Sequence, residues 1–187
     1  MTQGMRPGTV RYNAVAIAFH WAVAALTLFQ IPLGLVMIRM PRGLEQLQAV
    51  TLHKSLGAVI LVIAALRLLW RLFNPAPALP PDMPAWQKGV AHATHWLLYL
   101  AFFAVPLTGW IMSSAYGRPV EVFGLLALPD LVSPDKALGG LMDDLHMIFA
   151  YILTALVVVH IGAALHHFLI ARDEILARML PFARWPR

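Results

Sequence analysis

The chain contains no cysteine among its 187 residues, and charged side chains make up only 12% of it. The absence of cysteine excludes disulfides, thiolate catalysis and iron–sulfur clusters. An average soluble domain carries about 25% charged residues, so this chain has too little charge to cover a soluble globule of its size. A soluble enzyme and a disordered chain both fit this composition poorly.

Acidic residues are also scarce, with 9 Asp and Glu against 14 Lys and Arg, which gives a net charge of +5. A basic balance can indicate nucleic-acid binding. In a chain that is 60% hydrophobic, the same excess is typical of the cytoplasmic face of a membrane protein. We therefore expect membrane lipid around the protein and no nucleic-acid partner.

Four apolar stretches are long enough to cross about 30 Å of hydrocarbon. They cover residues of about 14–38, 52–73, 90–115 and 145–171. The first stretch is longer than the apolar region of a signal peptide, so we interpret it as a membrane helix. The sequence predicts an all-α, integral membrane four-helix bundle with up-down-up-down topology. It forms one transmembrane domain over residues 1–187, with an outer loop at 116–144.

The distribution of Lys and Arg predicts the orientation of this bundle. Most of them, among them Arg67, Arg71, Arg172 and Arg178, fall on the side that holds both termini. Positive residues are enriched in cytoplasmic segments. We therefore expect both termini in the cytoplasm and the loop 116–144 outside.

Histidine is unusually frequent in this chain, which contains eight. All of them fall in or at the ends of the predicted spans: His20, His53, His92, His95, His146, His160, His166 and His167. Ionisable residues in lipid are costly and usually face the bundle interior with a function. A single one is explained as a hydrogen-bonded interior histidine, but eight are not.

Spacing groups these histidines by face and depth. His146 and His160 are 14 residues apart in the fourth span, which places them within about 40° on one face and roughly 21 Å apart along the axis. His53 matches the outer depth of His146. His20 lies in the inner half of the first span, where depth does not choose between His160 and His167 as its partner.

A flat macrocycle against a helix needs small side chains near its ligand, and residues four positions apart share a helix face. Small residues follow at that spacing after four of the histidines: Ala24 after His20, Gly57 after His53, Ala150 after His146 and Ala164 after His160. His167 is followed by Ala171 and stays ambiguous. The test favours His20, His53, His146 and His160.

Two neutral imidazoles in lipid suit haem iron, which takes two axial ligands and leaves the rest of its coordination to the porphyrin. Zinc normally takes a closed tetrahedral set or an open catalytic position, and Asp143 and Asp144 keep zinc open as an alternative at the outer pair. The absence of C-x-x-C-H excludes covalent attachment. Two b haems with His20, His53, His146 and His160 as iron ligands fit the count and the spacing.

Haem propionates need cationic or hydrogen-bonding partners. Arg67 is 14 residues after His53 and so faces the same way at the inner level, although an arginine that snorkels to the interface has the same pattern. Lys54 is the outer candidate, for propionates or for an anion. The remaining histidines are candidates for propionate, quinone or proton binding, or are ordinary interface residues: His92, His95, His166 and His167.

Several motifs resemble the bacterial cytochrome b561 family, which groups with the cytochrome b subunits of nickel–iron hydrogenases. They cover nearly the whole chain: Phe19-His20-Trp21, Leu52-His53-Lys54-Ser55-Leu56-Gly57, Arg67-Leu68-Leu69-Trp70-Arg71-Leu72, Pro106-Leu107-Thr108-Gly109-Trp110, Gly117-Arg118-Pro119, Phe123-Gly124-Leu125 and Ala163-Ala164-Leu165-His166-His167. Together these motifs are specific, whereas each alone is weak.

The resemblance implies a bundle in the bacterial inner membrane with two b haems. It implies His20 and His160 as ligands of the inner haem, and His53 and His146 as ligands of the outer haem, and it selects His160 over His167. Met147 departs from the family pattern, in which many relatives have an acid after the outer histidine of the fourth helix. This departure puts a proton or anion role there in doubt.

The closest functional model in the family is a superoxide oxidase. It implies an oxidoreductase that takes electrons from superoxide at the periplasmic face and passes them to ubiquinone. The alternative is a haem b subunit that links a partner dehydrogenase or hydrogenase to the quinone pool. A non-redox membrane protein is the third hypothesis. The short tails favour a self-contained protein.

Overall fold

The computed structural model describes residues 11–181. Four long helices dominate it, and each is long and apolar enough to cross a membrane. We name them α1 (Ala14–Met37), α2 (Leu44–Phe73), α3 (Ala85–Ala115) and α4 (Lys136–His166). A π-helical turn, His167–Ala171, continues α4. The predicted all-α, four-helix membrane bundle is thereby confirmed.

The helices begin and end where local chemistry satisfies their backbone. Asn13 caps α1, since its side chain accepts a hydrogen bond from the Ala16 amide. Asp135 caps α4 by accepting from the Ala137 and Leu138 amides, and both residue types are favoured at this position. Pro32 and Pro106 lie inside α1 and α3, as the sequence places them, and membrane helices tolerate proline where neighbours satisfy the freed carbonyls.

Three predicted helix starts were too late. We expected the second, third and fourth spans at 52, 90 and 145, whereas the helices begin at Leu44, Ala85 and Lys136. The first turns of α2 and α4 contain polar and charged residues, so a search for apolar runs misses them. Leu, Glu, Gln and Lys nevertheless favour helix. At 30 residues, α2 is about 45 Å long, which exceeds the hydrocarbon thickness.

The outer loop is consequently shorter than the predicted 116–144, and it contains a β-hairpin. Strands β1 (Glu121–Val122) and β2 (Leu126–Ala127) pair antiparallel, with Val122 opposite Leu126. Phe123 and Gly124 form the turn with φ of 52° and 69°, as a type I′ turn requires. Gly124 adopts this conformation without strain, whereas it is uncommon for phenylalanine.

A layer of apolar side chains fills the middle of the bundle. Its buried members come from all four helices: Val23, Ile60, Ala64, Leu98, Ala101, Phe102 and Leu153. Ile60 is seven residues after His53, and Leu153 is midway between His146 and His160. The layer therefore separates an outer group of histidines from an inner one.

Candidate cofactor sites

The outer site is built by one histidine from α2 and one from α4. The rings of His53 and His146 have centroids 6.2 Å apart, with planes at 84°. Both side chains line a cavity of about 210 Å³ that all four helices enclose. Gly57 and Ala150, two of the small residues that follow these histidines, line the same cavity.

One nitrogen of each outer imidazole is left free by the surrounding protein. His146 Nδ1 donates to the carbonyl oxygen of Val105 at 2.9 Å, since a carbonyl can only accept. This fixes the proton on Nδ1 and leaves Nε2 as the nitrogen for a metal. His53 Nδ1 is buried and has no hydrogen-bond partner among residues 11–181. Gln30 Nε2 donates to the backbone oxygen of His53 at 2.7 Å and so links α1 to α2.

Two glycines on the neighbouring helices allow the outer imidazoles to fit. A Cβ added at Gly34 of α1 would lie 3.1 Å from His53 Cε1. A Cβ at Gly109 of α3 would lie 3.0 Å from His146 Cε1 and 3.1 Å from its Nδ1. Our spacing test examined small residues on the same helix and missed both glycines. Gly109 belongs to the motif Pro106–Trp110, which was the available signal.

The inner site pairs α1 with α4. The ring centroids of His20 and His160 are 6.1 Å apart, with planes at 61°. His95 of α3 lies against the same pair, 5.6 Å from the His160 ring centroid. The structure therefore brings three imidazoles together at the inner level, and His160 rather than His167 faces His20.

Arg67 lies at the inner pair, at the level that its 14-residue spacing from His53 predicts. Its Nη2 atom is 3.3 Å from His20 Nδ1, and its guanidinium carbon is 5.4 Å from the centroid of the Tyr99 ring. A guanidinium has no acceptor, so Arg67 donates and His20 Nδ1 accepts. In this arrangement the His20 proton is on Nε2.

The outer pair has the ring separation of a bis-histidine metal centre, and the His146 tautomer suits it. Two imidazole–metal bonds of about 2 Å on opposite sides of one ion, with the radius of each ring, separate the ring centres by roughly 6 Å. Both observed separations match this value. The inner pair meets the distance but not the protonation, because Arg67 must leave His20 Nδ1 before Nε2 can bind a metal. No group of three or more His, Asp or Glu placed to hold a metal ion occurs within residues 11–181, so a closed zinc set is not formed there.

Lys54 lies at the mouth of the outer site. Its Nζ donates to the carbonyl oxygens of Arg118 at 3.1 Å and of Pro119 at 3.4 Å. The side chain lines the outer cavity and also a groove of about 390 Å³, in which Arg118 and Glu121 take part. An ammonium has three donors, so one remains for a ligand.

Three histidines, His92, His166 and His167, lie apart from the two pairs. His166 and His92 are exposed. His167 contacts the His166 ring, with centroids 5.8 Å apart, and its Nδ1 is 2.5 Å from the carboxylate of Asp173. Both contacts lie at the C-terminal end of α4 or just beyond it. They give His167 a partner other than His20. Met147 lines the outer cavity, where an acid would have faced the outer site.

Four membrane-spanning helices that bring two pairs of imidazoles together define an integral membrane helical bundle with two candidate cofactor sites. The family model of prokaryotic cytochrome b561 matches residues 11–182. The chain therefore belongs to the prokaryotic cytochrome b561 family, whose members bind haem b and transfer electrons in the membrane. It is a multi-pass oxidoreductase of the bacterial inner membrane.

Curated relatives agree with this assignment. Cytochrome b561 homolog 2 of Escherichia coli (strain K12) is 34% identical over 172 residues, which are 91% of each chain. The probable superoxide oxidase CybB of Yersinia pestis is 30% identical over 93% of this chain and 98% of its own length. Cytochrome b561 homolog 1 of Escherichia coli (strain K12) is 33% identical over 69% of this chain and 73% of its own.

Proposed function

We propose that the protein is a two-haem b cytochrome that passes electrons from superoxide at the periplasmic face to membrane ubiquinone. The observation that carries the proposal is the presence of two facing histidine pairs on opposite sides of an apolar layer. His53 and His146 hold the outer haem iron, and His20 and His160 hold the inner one. The haem irons supply one-electron redox chemistry, and the protein supplies their position and surroundings.

Arg67 serves the inner haem as the partner of a propionate. In the structure its guanidinium donates a hydrogen bond to His20 Nδ1. In a metal-bound imidazole this nitrogen would instead carry the proton and donate it to a carbonyl or carboxylate oxygen. For His20 to hold a metal through Nε2, its proton would have to lie on Nδ1, and Arg67 would then no longer donate to that nitrogen. The half-buried guanidinium would then be available to a propionate carboxylate, which would neutralise its charge.

The groove at Lys54 supports an anionic donor at the outer face. Lys54 and Arg118 contribute two cations to its lining, against one acid, Glu121. Lys54 and Val50 line both the groove and the outer cavity, so a small anion in the groove would lie beside the outer site. The full-length similarity to a probable superoxide oxidase favours superoxide as that anion.

The reaction balances with two donors for each acceptor. Each superoxide loses one electron and becomes O₂. Two such electrons and two protons convert one ubiquinone to ubiquinol. The transfer needs an outer entry site, which the groove at Lys54 would supply. It also needs a redox group on each side of the apolar layer, which the two histidine pairs would hold.

The distribution of Lys and Arg supports an orientation with both termini in the cytoplasm. The outer pair and the hairpin then face the periplasm. A fluorescent protein that folds only in the cytoplasm, fused to the C-terminus, should be bright. Dim fusions with intact membrane insertion would reverse the orientation and place the Lys54 groove on the cytoplasmic side.

The proposal is tested by haem quantitation and stopped-flow kinetics on the purified protein. A pyridine haemochrome assay should give two b haems per chain. Superoxide should reduce the oxidised protein rapidly, and ubiquinone should reoxidise it. Two haems without a superoxide reaction would instead indicate a subunit that takes electrons from a partner dehydrogenase or hydrogenase.

A further inference from the structure

The outer hairpin, residues 118–128, covers part of the outer cavity. Val120 is 5% exposed, and both Val120 and Leu128 line the cavity wall. The Leu128 amide donates to the Val120 carbonyl oxygen at 2.9 Å, which closes the base of the hairpin. A movement of this hairpin would therefore open the cavity to the outer solvent.

Ser55 holds the hairpin against α2. Its side chain is fully buried, and its Oγ accepts from the Phe123 amide at 2.9 Å. The same Oγ lies 2.9 Å from the Thr51 carbonyl oxygen and 3.1 Å from that of Glu121, and its single proton serves these two acceptors. One hydroxyl thus contacts both the β1 strand and the turn residue.

These contacts are unusual because the turn needs an external acceptor. Phe123 has a positive φ, and its amide finds an acceptor in Ser55 Oγ through a half-buried hydrogen bond. Ser55 is two residues after His53 on the same helix, so it connects the hairpin directly to the helix that carries an outer-site histidine. Lys54 adds a second connection through the Arg118 and Pro119 carbonyl oxygens.

We infer that Ser55 is a positioning residue that keeps the hairpin closed over the outer site and thereby sets the reduction potential of the group bound there. This rests on the proposed haem sites, but not on the identity of the electron donor. Exclusion of water and low polarity favour the less charged, reduced form of a haem. An open hairpin therefore lowers the potential of the outer haem and leaves the inner haem unchanged.

The test compares Ser55→Ala with Thr154→Val in the haem-loaded protein. Thr154 lines the same cavity, and its hydroxyl bonds within α4 to Ala150, so its loss removes a cavity hydroxyl without touching the hairpin. Ser55→Ala should accelerate amide hydrogen exchange across residues 118–128 on the order of 10-fold, as for a locally opened segment. A redox titration should show a lower potential for one haem component. Thr154→Val should leave hairpin exchange as in the original protein, because its hydroxyl bonds only within α4.

Lys54→Met is the second variant, and it should accelerate exchange in the same segment. The inference is overturned if hairpin exchange is unchanged in Ser55→Ala, if Thr154→Val accelerates it equally, or if both haem potentials shift together. Failure of the proposed function is seen separately, on the unaltered protein, as a missing haem or an absent superoxide reaction. Hairpin exchange remains measurable in either case.

Discussion

His146 donates a hydrogen bond from Nδ1 to the backbone oxygen of Val105 at 2.9 Å. A metal-ligating histidine characteristically makes such a bond with its second nitrogen, because the bond fixes both tautomer and ring orientation. The acceptor belongs to α3, so the position of the imidazole depends on how α3 packs against α4. The outer site is therefore a property of the bundle rather than of one helix.

Removal of an outer histidine should empty the outer haem site alone. His53→Ala and His146→Ala should each lower the haem content to about half, because the single histidine that remains does not retain the outer haem. The inner haem should stay bound, since the apolar layer separates the two histidine pairs. The pyridine haemochrome assay measures this ratio. His92→Ala, which alters an exposed histidine, should retain the full content. Loss of both haems, or of neither, would contradict independent sites.

Gly109→Ala should weaken the outer site without changing any ligand. The added Cβ would lie 3.0 Å from His146 Cε1, so we expect the imidazole to move by a few tenths of an ångström and its bond to Val105 to weaken. Loss of such a supporting bond typically costs roughly 10–100-fold in metal affinity. Haem retention during dilution or competition with apomyoglobin measures the effect.

Gly162→Ala is the matched control for this glycine variant. Gly162 also lies in a membrane helix, but a Cβ there meets no atom within 4 Å. Its haem retention should equal that of the unaltered protein. If both variants lost haem equally, the loss would be due to the change in helix flexibility and not to contact with His146.

The sequence predicted the four helices because apolar runs of membrane length leave few alternatives. It also predicted the level of Arg67, because helical geometry converts spacing along one helix into depth. Gly34 and Gly109 were missed since contacts between helices are not encoded in the spacing along either one. The polar first turns of α2 and α4 were missed because composition alone defines apolar runs. Ser55 belongs to the motif Leu52–Gly57, but the motif indicates no role for its hydroxyl, because that role depends on a hairpin 66 residues away, at Glu121.

Arg67→Met should lower the reduction potential of the inner haem. A half-buried cation beside the haem favours the less positive, reduced state, and its removal should shift the one-electron potential by on the order of 60 mV, or tenfold in the equilibrium constant. Redox titration with separate fitting of the two components measures the shift. Arg71→Met removes a cation one turn further along α2 and should have a smaller effect. A shift of the outer component instead would contradict the placement of Arg67 beside His20.

Lys54→Met and Arg118→Met should slow reduction of the protein by superoxide at the outer face. Both cations line the groove that meets the outer cavity, and local positive charge raises the concentration of an anion there. Loss of this steering should reduce the second-order rate on the order of 10-fold at low salt. The difference should shrink as salt rises, because the Debye length is about 8 Å at physiological ionic strength.

Lys136→Met removes a cation at the start of α4, outside the groove lining, and should leave the rate nearly unchanged. If all three variants instead reacted at the rate of the unaltered protein at low salt, the groove would be excluded as the entry site of superoxide.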